Sequence, residues 1–330
     1  MAKHFKPRKG SRAYWPKKRA ARIYPNIKTY PESEKVIPLS FAAYKAGMSR
    51  AIVFDSTKNR PTSGHEIVRP VTIMDCPPLS VCGIKLYRST AYGLKDAGIV
   101  WADGLAKDLY RKTNTPKKTG SKLAMEKAEK ALDSLSDVRL LVHTRPRESG
   151  IGKKRPELFE IPIGGKDVRE RWEYAKSRLG SELRVSDVFA DGEMVDAVGV
   201  SKGKGYQGPV KRFGVKVRSR KNKKKMRHVG SLGPQNPARV IPAKLAMPGQ
   251  LGFQTRTEYN KNIIKIGDKP ADVNPLGGLP NYGVVRAGYI VIEGSVPGPK
   301  KRLVMLRKAM RPPRERGQLE LRKVLLDPQQ

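Results

Sequence analysis

Between residues 197 and 257 the chain runs for 61 positions without one Asp or Glu while carrying fifteen Lys and Arg. Eight of those cations lie in KVRSRKNKKKMR (216–227), after which HVGSLGPQNPARV is small, nearly uncharged and rich in Gly and Pro. The stretch has neither the apolar period of a helix nor the alternation of a half-buried strand. A structureless segment of this length inside a compact domain counts against a self-contained fold. It becomes reasonable once another molecule supplies packing and hydrogen-bond partners. The sequence therefore predicts an extension embedded in a partner.

The rest of the charge says what kind of partner. The chain has 330 residues, with 68 Lys and Arg against 30 Asp and Glu, a net charge of +38. Such an excess repels itself in the compact state unless a polyanion neutralises it, and a phosphate backbone suits charge this large and widely spread. Residues 1–31 add ten Lys and Arg and no carboxylate, interleaved with Tyr14, Trp15, Tyr24 and Tyr30. Such a segment buries too little apolar surface to fold alone, whereas cations mixed with aromatics suit phosphate contact and base stacking. A last basic stretch, 300–323, has ten Lys and Arg against two Glu. No apolar run approaches the roughly 18–20 residues of a membrane-spanning helix, and the N-terminus lacks the apolar core of a signal peptide, so the expectation is a soluble, intracellular protein. Cys76 and Cys82 with the scattered His4, His65, His143 and His228 make no zinc set; the expectation is two buried thiols, no disulfide and no metal.

The remaining segments predict a mainly β fold. FAAYKAGMSRAIVFD, HEIVRPVTIMDCPPLSVCGIKLYRST and AGIVWADG are β-branched and aromatic runs punctuated by turn residues, a pattern that resumes at LRVSDVFADGEMVDAVGV, YGVVRAGYIVIEGSV and RLVMLRKA. Between the halves, KLAMEKAEKALDSLS and KDVRERWEYAKSRLG have helical spacing, the second stopped by Gly180, and RLLVHTRP and LFEIPI resemble strands. The predicted organisation is a basic arm (1–32), a first β half (33–106), an α/β insertion (107–180), a second β half (181–299) containing the long basic loop 201–257, and a last strand with a basic tail (300–330).

Motifs suggestive of catalysis fail on context. Gly203, Gly205 and Gly208 form a GxGxxG, but a dinucleotide loop must run from strand into helix with an acid about 20 residues on, and here Pro209 follows and no acid appears until Glu258. The glycines instead let the backbone turn sharply and approach phosphates. His228 has no carboxylate nearby in sequence to orient it. Asp187, Asp191, Glu193 and Asp196 cluster at a turn beside Phe189 and Val195 and read as solvated carboxylates on a strand pair. No cofactor is expected.

Several long blocks carry a family resemblance: YKAGMSR (44–50), VTIMDCPPLSVCGIKLY (71–87), VDAVGVSKGKGYQGPVKRFG (195–214), HVGSLGPQNPARV, GQLGFQTRTEYNKNIIKIG (249–267) and GYIVIEGSVPGPKKRLVMLR (288–307). In this order the chain resembles, almost end to end, the L-three family of large-subunit ribosomal proteins, with an arm and insertion like those of the archaeal and eukaryotic branch. The resemblance implies a closed, mostly antiparallel β-barrel of the translation-protein type and no catalysis. It also implies binding to large-subunit ribosomal RNA early in assembly, beside other large-subunit proteins, and an extension reaching toward the peptidyl transferase centre. The extension corresponds to Ser201–Thr257, with its tip at Gly233, Pro234, Gln235, Asn236 and Pro237. At Gln235 the chain departs from archaeal and eukaryotic members, which carry Trp, and resembles the bacterial form, whose glutamine can be methylated.

The residues expected to contact RNA are Lys3, Lys6, Arg8, Lys9, Arg12, Trp15, Lys17, Lys18, Arg19 and Arg22 in the arm. In the loop they are Lys202, Lys204, Tyr206, Lys211, Arg212, Lys216, Arg218, Arg220, Lys221, Lys223, Lys224, Lys225, Arg227, His228, Arg239 and Arg256. The cations contact backbone and position without reading sequence. Gly230 and Gly233 join the three motif glycines in allowing close approach, and Tyr206, Phe213 and Phe253 either stack on bases or anchor the root of the loop. Two rivals are weaker: an RNA-modifying enzyme needs a cofactor or nucleophile site, and a general nucleic-acid-condensing protein predicts low-complexity tails around a small helical domain. If ten of the cations meet phosphates, affinity for RNA falls with a log–log salt slope of about −7 to −9; a filter-binding slope near zero would remove the polyanion argument.

Overall fold

A computed structural model describes residues 17–57, 60–116, 120–232, 245–313 and 319–326, except for the side chain of Lys223. The chain divides into two units. The larger, the body, comprises residues 24–199 and 257 onward; the smaller comprises residues 200–256 with the described part of 1–23.

The body contains two antiparallel sheets. The first is built from β1 (Ser40–Asp55), β2 (Glu66–Cys76), β8 (Met194–Val200), β11 (Thr255–Gly267), β12 (Gly288–Glu293), β13 (Leu303–Lys308) and β14 (Leu319–Leu325), in the order β13-β8-β11-β12-β2-β1-β14. The order returns on itself, because β13 also pairs with β1. The 16-residue β1 makes this possible: Ser40–Tyr44 pair with β13, and after a bulge Arg50–Asp55 pair with β14. Its first half is buried throughout, and only its second half alternates between buried and exposed positions.

The second sheet has the order β4-β3-β5-β6, from β3 (Leu79–Thr90), β4 (Gly93–Trp101), β5 (Asp137–His143) and β6 (Leu158–Pro162), and the two-residue β7 (Glu182–Leu183) also pairs with β3. Pro77 and Pro78 cannot donate to a β ladder. They separate β2 from β3, and the chain changes sheets there. α1 (Ser121–Lys130) and α2 (Val168–Arg178) form where the helical spacing predicts them. α2 packs on β5 and buries Trp172 and Ala175, and Gly180 just beyond it takes φ 78°. One continuous core joins both sheets through fully buried Phe41, Tyr44, Ile73, Leu79, Ile84, Leu140, Ile161 and Tyr289. Cys76 and Cys82 are buried free thiols, and burial pushes the Cys82 thiol up to about 12. No helix among the described residues is long and apolar enough to cross a membrane.

Three expectations change. The boundary at 106/107 divides a sheet: β3, assigned with β4 to the first β half, pairs with β4 on one side and with β5 of the supposed insertion on the other. Strand partners are non-local, so no composition shift marks this continuity. The arm is also shorter than 1–32. Tyr24 and Ile27 are buried in the body's core, and the Tyr24 hydroxyl donates to the Leu158 carbonyl at 3.0 Å, so packing uses an aromatic read as available for stacking. The acidic cluster, finally, is only partly solvated: Asp191 is exposed and Asp187 and Glu193 are half-buried, but each is tied to a partner and Asp196 is buried. Asp187 accepts from the Arg184 amide and Asp191 from the Ile266 amide, while Glu193 pairs with Lys308.

Asp196, the last of that cluster, is fully buried. Its Oδ2 accepts Nη2 of Arg307 at 3.0 Å, Nε of Arg307 at 3.2 Å and the Met310 amide at 3.2 Å, and its Oδ1 accepts the Asn260 amide at 3.0 Å. Arg307 completes its shell by donating to the Thr29 carbonyl at 2.6 Å. Removing one partner leaves a buried charge uncompensated, so Arg307→Leu is expected to destabilise the isolated chain by about 3–5 kcal/mol in urea unfolding; a loss within error would contradict a structural role for the pair. Asp75 gives a second prediction. It is fully buried, accepts the Tyr282 hydroxyl at 2.6 Å, and burial raises its carboxyl from 3.8 to about 6. A carboxyl raised by folding stabilises fully below its unfolded value, and that stability is lost as pH rises through about 6. Asp75→Asn should therefore abolish a fall of about 2–3 kcal/mol between pH 4 and 7, read as the wild-type minus variant difference in unfolding free energy.

Candidate nucleic-acid interface

The smaller unit takes its character from what its sequence lacks. Residues 1–23 and 200–256 hold 24 of the chain's 68 Lys and Arg and none of its 30 Asp and Glu. Within the unit no carboxylate exists to pair with any of these cations.

The loop is nonetheless ordered at its root, in residues for which periodicity predicts nothing. The Ser201 amide donates to the Gln254 carbonyl at 3.0 Å, the Phe253 amide to the Lys202 carbonyl at 3.1 Å, and the Lys204 amide to the Leu251 carbonyl at 2.9 Å. Two short strands, β9 (Tyr206–Gln207) and β10 (Gly249–Gln250), then pair antiparallel. α3 (Pro209–Phe213) follows, with Pro209 in its first turn and Gly214 ending it at φ 65°. The expectation of a stretch without structure thus fails at the root, where backbone bonds between two distant legs replace apolar periodicity. Gly252 shows how close the legs come: at φ 72°, a Cβ there would overlap the Lys202 carbonyl oxygen.

The GxGxxG lies on this root. Gly203 faces the Phe253 ring and Gly205 turns the chain at φ 64°, while the helix after Gly208 is five residues long. Arg212 donates to the carbonyls of Gln250 at 3.0 Å and Met247 at 2.7 Å, so it ties α3 to the returning leg. Phe213 is buried, with the Lys17 ammonium 4.6 Å from its ring centroid. Of the two roles open to it, Phe213 serves as an anchor. Tyr206, 74% exposed, presents its ring to solvent. The arm joins the same root, since the Ala20 amide donates to the Phe253 carbonyl at 2.7 Å. Residue types could not reveal that bond, because it uses backbone alone.

The other expected contact residues divide by exposure. Lys18, Arg19, Arg22, Lys202, Lys204, Lys211, Lys216, Arg220, Lys221, Lys224, Lys225, Arg227 and His228 are exposed, and Lys17, Arg212, Arg218 and Arg256 are half-buried. Burial lowers the Lys17 pKa, and the positive charges of Arg212 and Arg256 lower it further. Three mutually repelling cations are thereby held together, a site that an anion would relax. Lys3, Lys6, Arg8, Lys9, Arg12, Trp15, Arg239 and the tip Gly233, Pro234, Gln235, Asn236 and Pro237 lie outside the described residues, as does the Lys223 side chain. Met247, Pro248 and Leu232, absent from the expected set, line a cleft in this unit with several of the cations. Among the described residues no group of three or more His, Cys, Asp and Glu could hold a metal ion.

A mainly β body with a carboxylate-free basic unit suits a protein that works against a polyanion, and comparison with known proteins gives its class. The chain is 48% identical over 310 residues to the large ribosomal subunit protein uL3 of Methanocaldococcus jannaschii, covering 93% of this chain and 92% of the relative. It is 48% identical over 316 residues to that of Methanothermobacter thermautotrophicus, covering 94% of each. Against that of Methanopyrus kandleri the identity is 46% over 316 residues, covering 94% of this chain and 86% of the relative. Residues 1–327 match the family described as Ribosomal protein L3. The chain belongs to that family, one of ribosomal proteins rather than enzymes.

The root geometry yields its own prediction. Gly252→Ala should part the two legs, giving faster hydrogen exchange at the Lys204 and Phe253 amides while the body's urea midpoint stays unchanged. Unchanged exchange at both amides would show that the close approach does not hold the root together.

Proposed function

We propose that this protein is a non-catalytic structural component of the large ribosomal subunit that binds large-subunit ribosomal RNA. One observation carries the reading: a unit with 24 cations and no carboxylate has its root held by backbone hydrogen bonds and by Arg212 and Phe213, while most of its described cations stay exposed. The self-returning sheet is the closed, translation-protein-type barrel of the family and serves as an anchor on the subunit surface. Residues 107–180 extend that anchor, since their strands β5 and β6 continue the sheet of β3 and β4. The arm and the loop 201–257 enter the RNA, neutralise phosphates there, and extend toward the peptidyl transferase centre, with Gln235 at the tip as a hydrogen-bonding amide. Binding of this kind stabilises folded RNA early in assembly, beside neighbouring ribosomal proteins, and places the protein in the cytoplasm as part of the ribosome.

Two measurements test this. Through a moderate salt wash and sedimentation the protein should stay with the large subunit; recovery mostly free, or on DNA, would refute the assignment. Deleting residues 218–237 should leave the body folded while large subunits mature slowly or transfer peptide poorly. Normal subunits from that deletion would sink the role given to the loop.

A further inference from the structure

The basic unit contains a cleft of about 500 Å³ between the segment that follows Arg218 and the returning leg at Met247 and Pro248. Its size lies within the ~300–1,000 Å³ of small-ligand sites, although phosphate neutralisation along an extended loop requires no concavity at all. Its lining is also of two kinds. Pro209, Leu232, Met247 and Pro248 supply apolar surface, whereas Arg218, Lys225 and Arg227 supply positive charge.

Both walls are held in place. On the apolar side, Arg212 grips the Met247 carbonyl, and β9 pairs with β10 immediately beyond Pro248. On the cationic side, the Arg218 amide donates to the Met226 carbonyl at 3.0 Å and closes the segment 218–226 into a compact turn. Gly230 lets the Arg218 guanidinium lie against the backbone, since a Cβ there would stand 3.0 Å from Nη2. An apolar slot beside the Arg218 guanidinium and two further cations suits a planar base carrying its own phosphate. A bare phosphate would leave the apolar wall unused, and an uncharged apolar ligand would leave three cations uncompensated.

We infer that this cleft receives a single unpaired ribosomal nucleotide. Its base packs against Pro209, Leu232, Met247 and Pro248, and its flanking phosphates lie on Arg218, Lys225 and Arg227. Extruded bases are commonly held between apolar side chains, and Arg planes add stacking. The inference rests on the RNA-binding reading above but goes beyond it, because it requires one defined nucleotide rather than a charged track.

The test uses full-length protein in assembled large subunits, with a photo-crosslinking residue placed either in the cleft, as Met247→p-benzoylphenylalanine, or on the exposed basic segment, as Lys221→p-benzoylphenylalanine. RNA adducts are mapped by primer extension and protein adducts by mass spectrometry. The expected result is RNA crosslinking from both positions, with one unpaired nucleotide dominating at Met247. RNA adducts from Lys221 alongside protein-only, or scattered, adducts from Met247 would overturn the nucleotide site and leave the RNA reading standing. Absence of RNA adducts from both positions would overturn both.

Discussion

Arg307 stands where the first sheet returns on itself. β13 is flanked by β1 on one side and β8 on the other, and the Arg307 position faces Ser40 across one pairing and Asp196 across the other. A guanidinium at such a place would be costly unless every donor found an acceptor, and the Asp196 carboxylate and Thr29 supply them. The pair also sets register. A one-residue slip of β13 would turn Arg307 to the opposite face and leave Asp196 buried without its cation. β8 and β11 are neighbours in the same sheet, and the long basic loop connects them, so their register sets where that loop begins and ends.

The two units treat charge in opposite ways. In the body, many cations are compensated locally: Lys85, Arg139 and Arg171 meet Glu160, Asp96 and Asp137 across the second sheet at 2.8–3.5 Å. In the smaller unit, Arg212 has only backbone carbonyls to bond, and Lys17 lies over an aromatic ring. Its repulsion is therefore left for an external polyanion to remove. Phosphates would supply that compensation at many positions at once, and release of their counterions would drive the association.

Legibility followed the range of the interactions involved. α1 and α2 were readable because their apolar spacing and the Gly180 stop are local properties of the chain. The GxGxxG was likewise judged on sequence alone, since Pro209 follows it at once and no acid appears until Glu258. Pairing of β3 with β5 across the supposed insertion boundary was not readable, because either strand could accept several partners. Tyr24 and Asp196 misled for a related reason. An aromatic in a basic tail and an acid near a turn look solvent-facing until Leu158, Asn260 and Arg307 arrive from distant parts of the chain.

Composition alone pointed to a polyanionic partner: 61 residues without an acid cannot pair their fifteen cations among themselves. Order of motifs determined its family. Tertiary structure alone decided which of those residues face outward. Phe213 and Arg212 become root anchors, Tyr206 stays exposed, and Met247 and Pro248 become a wall of a cleft. The physical reason is that charge is additive along a chain and survives any fold, whereas burial and hydrogen bonding depend on which distant backbone comes within about 3 Å.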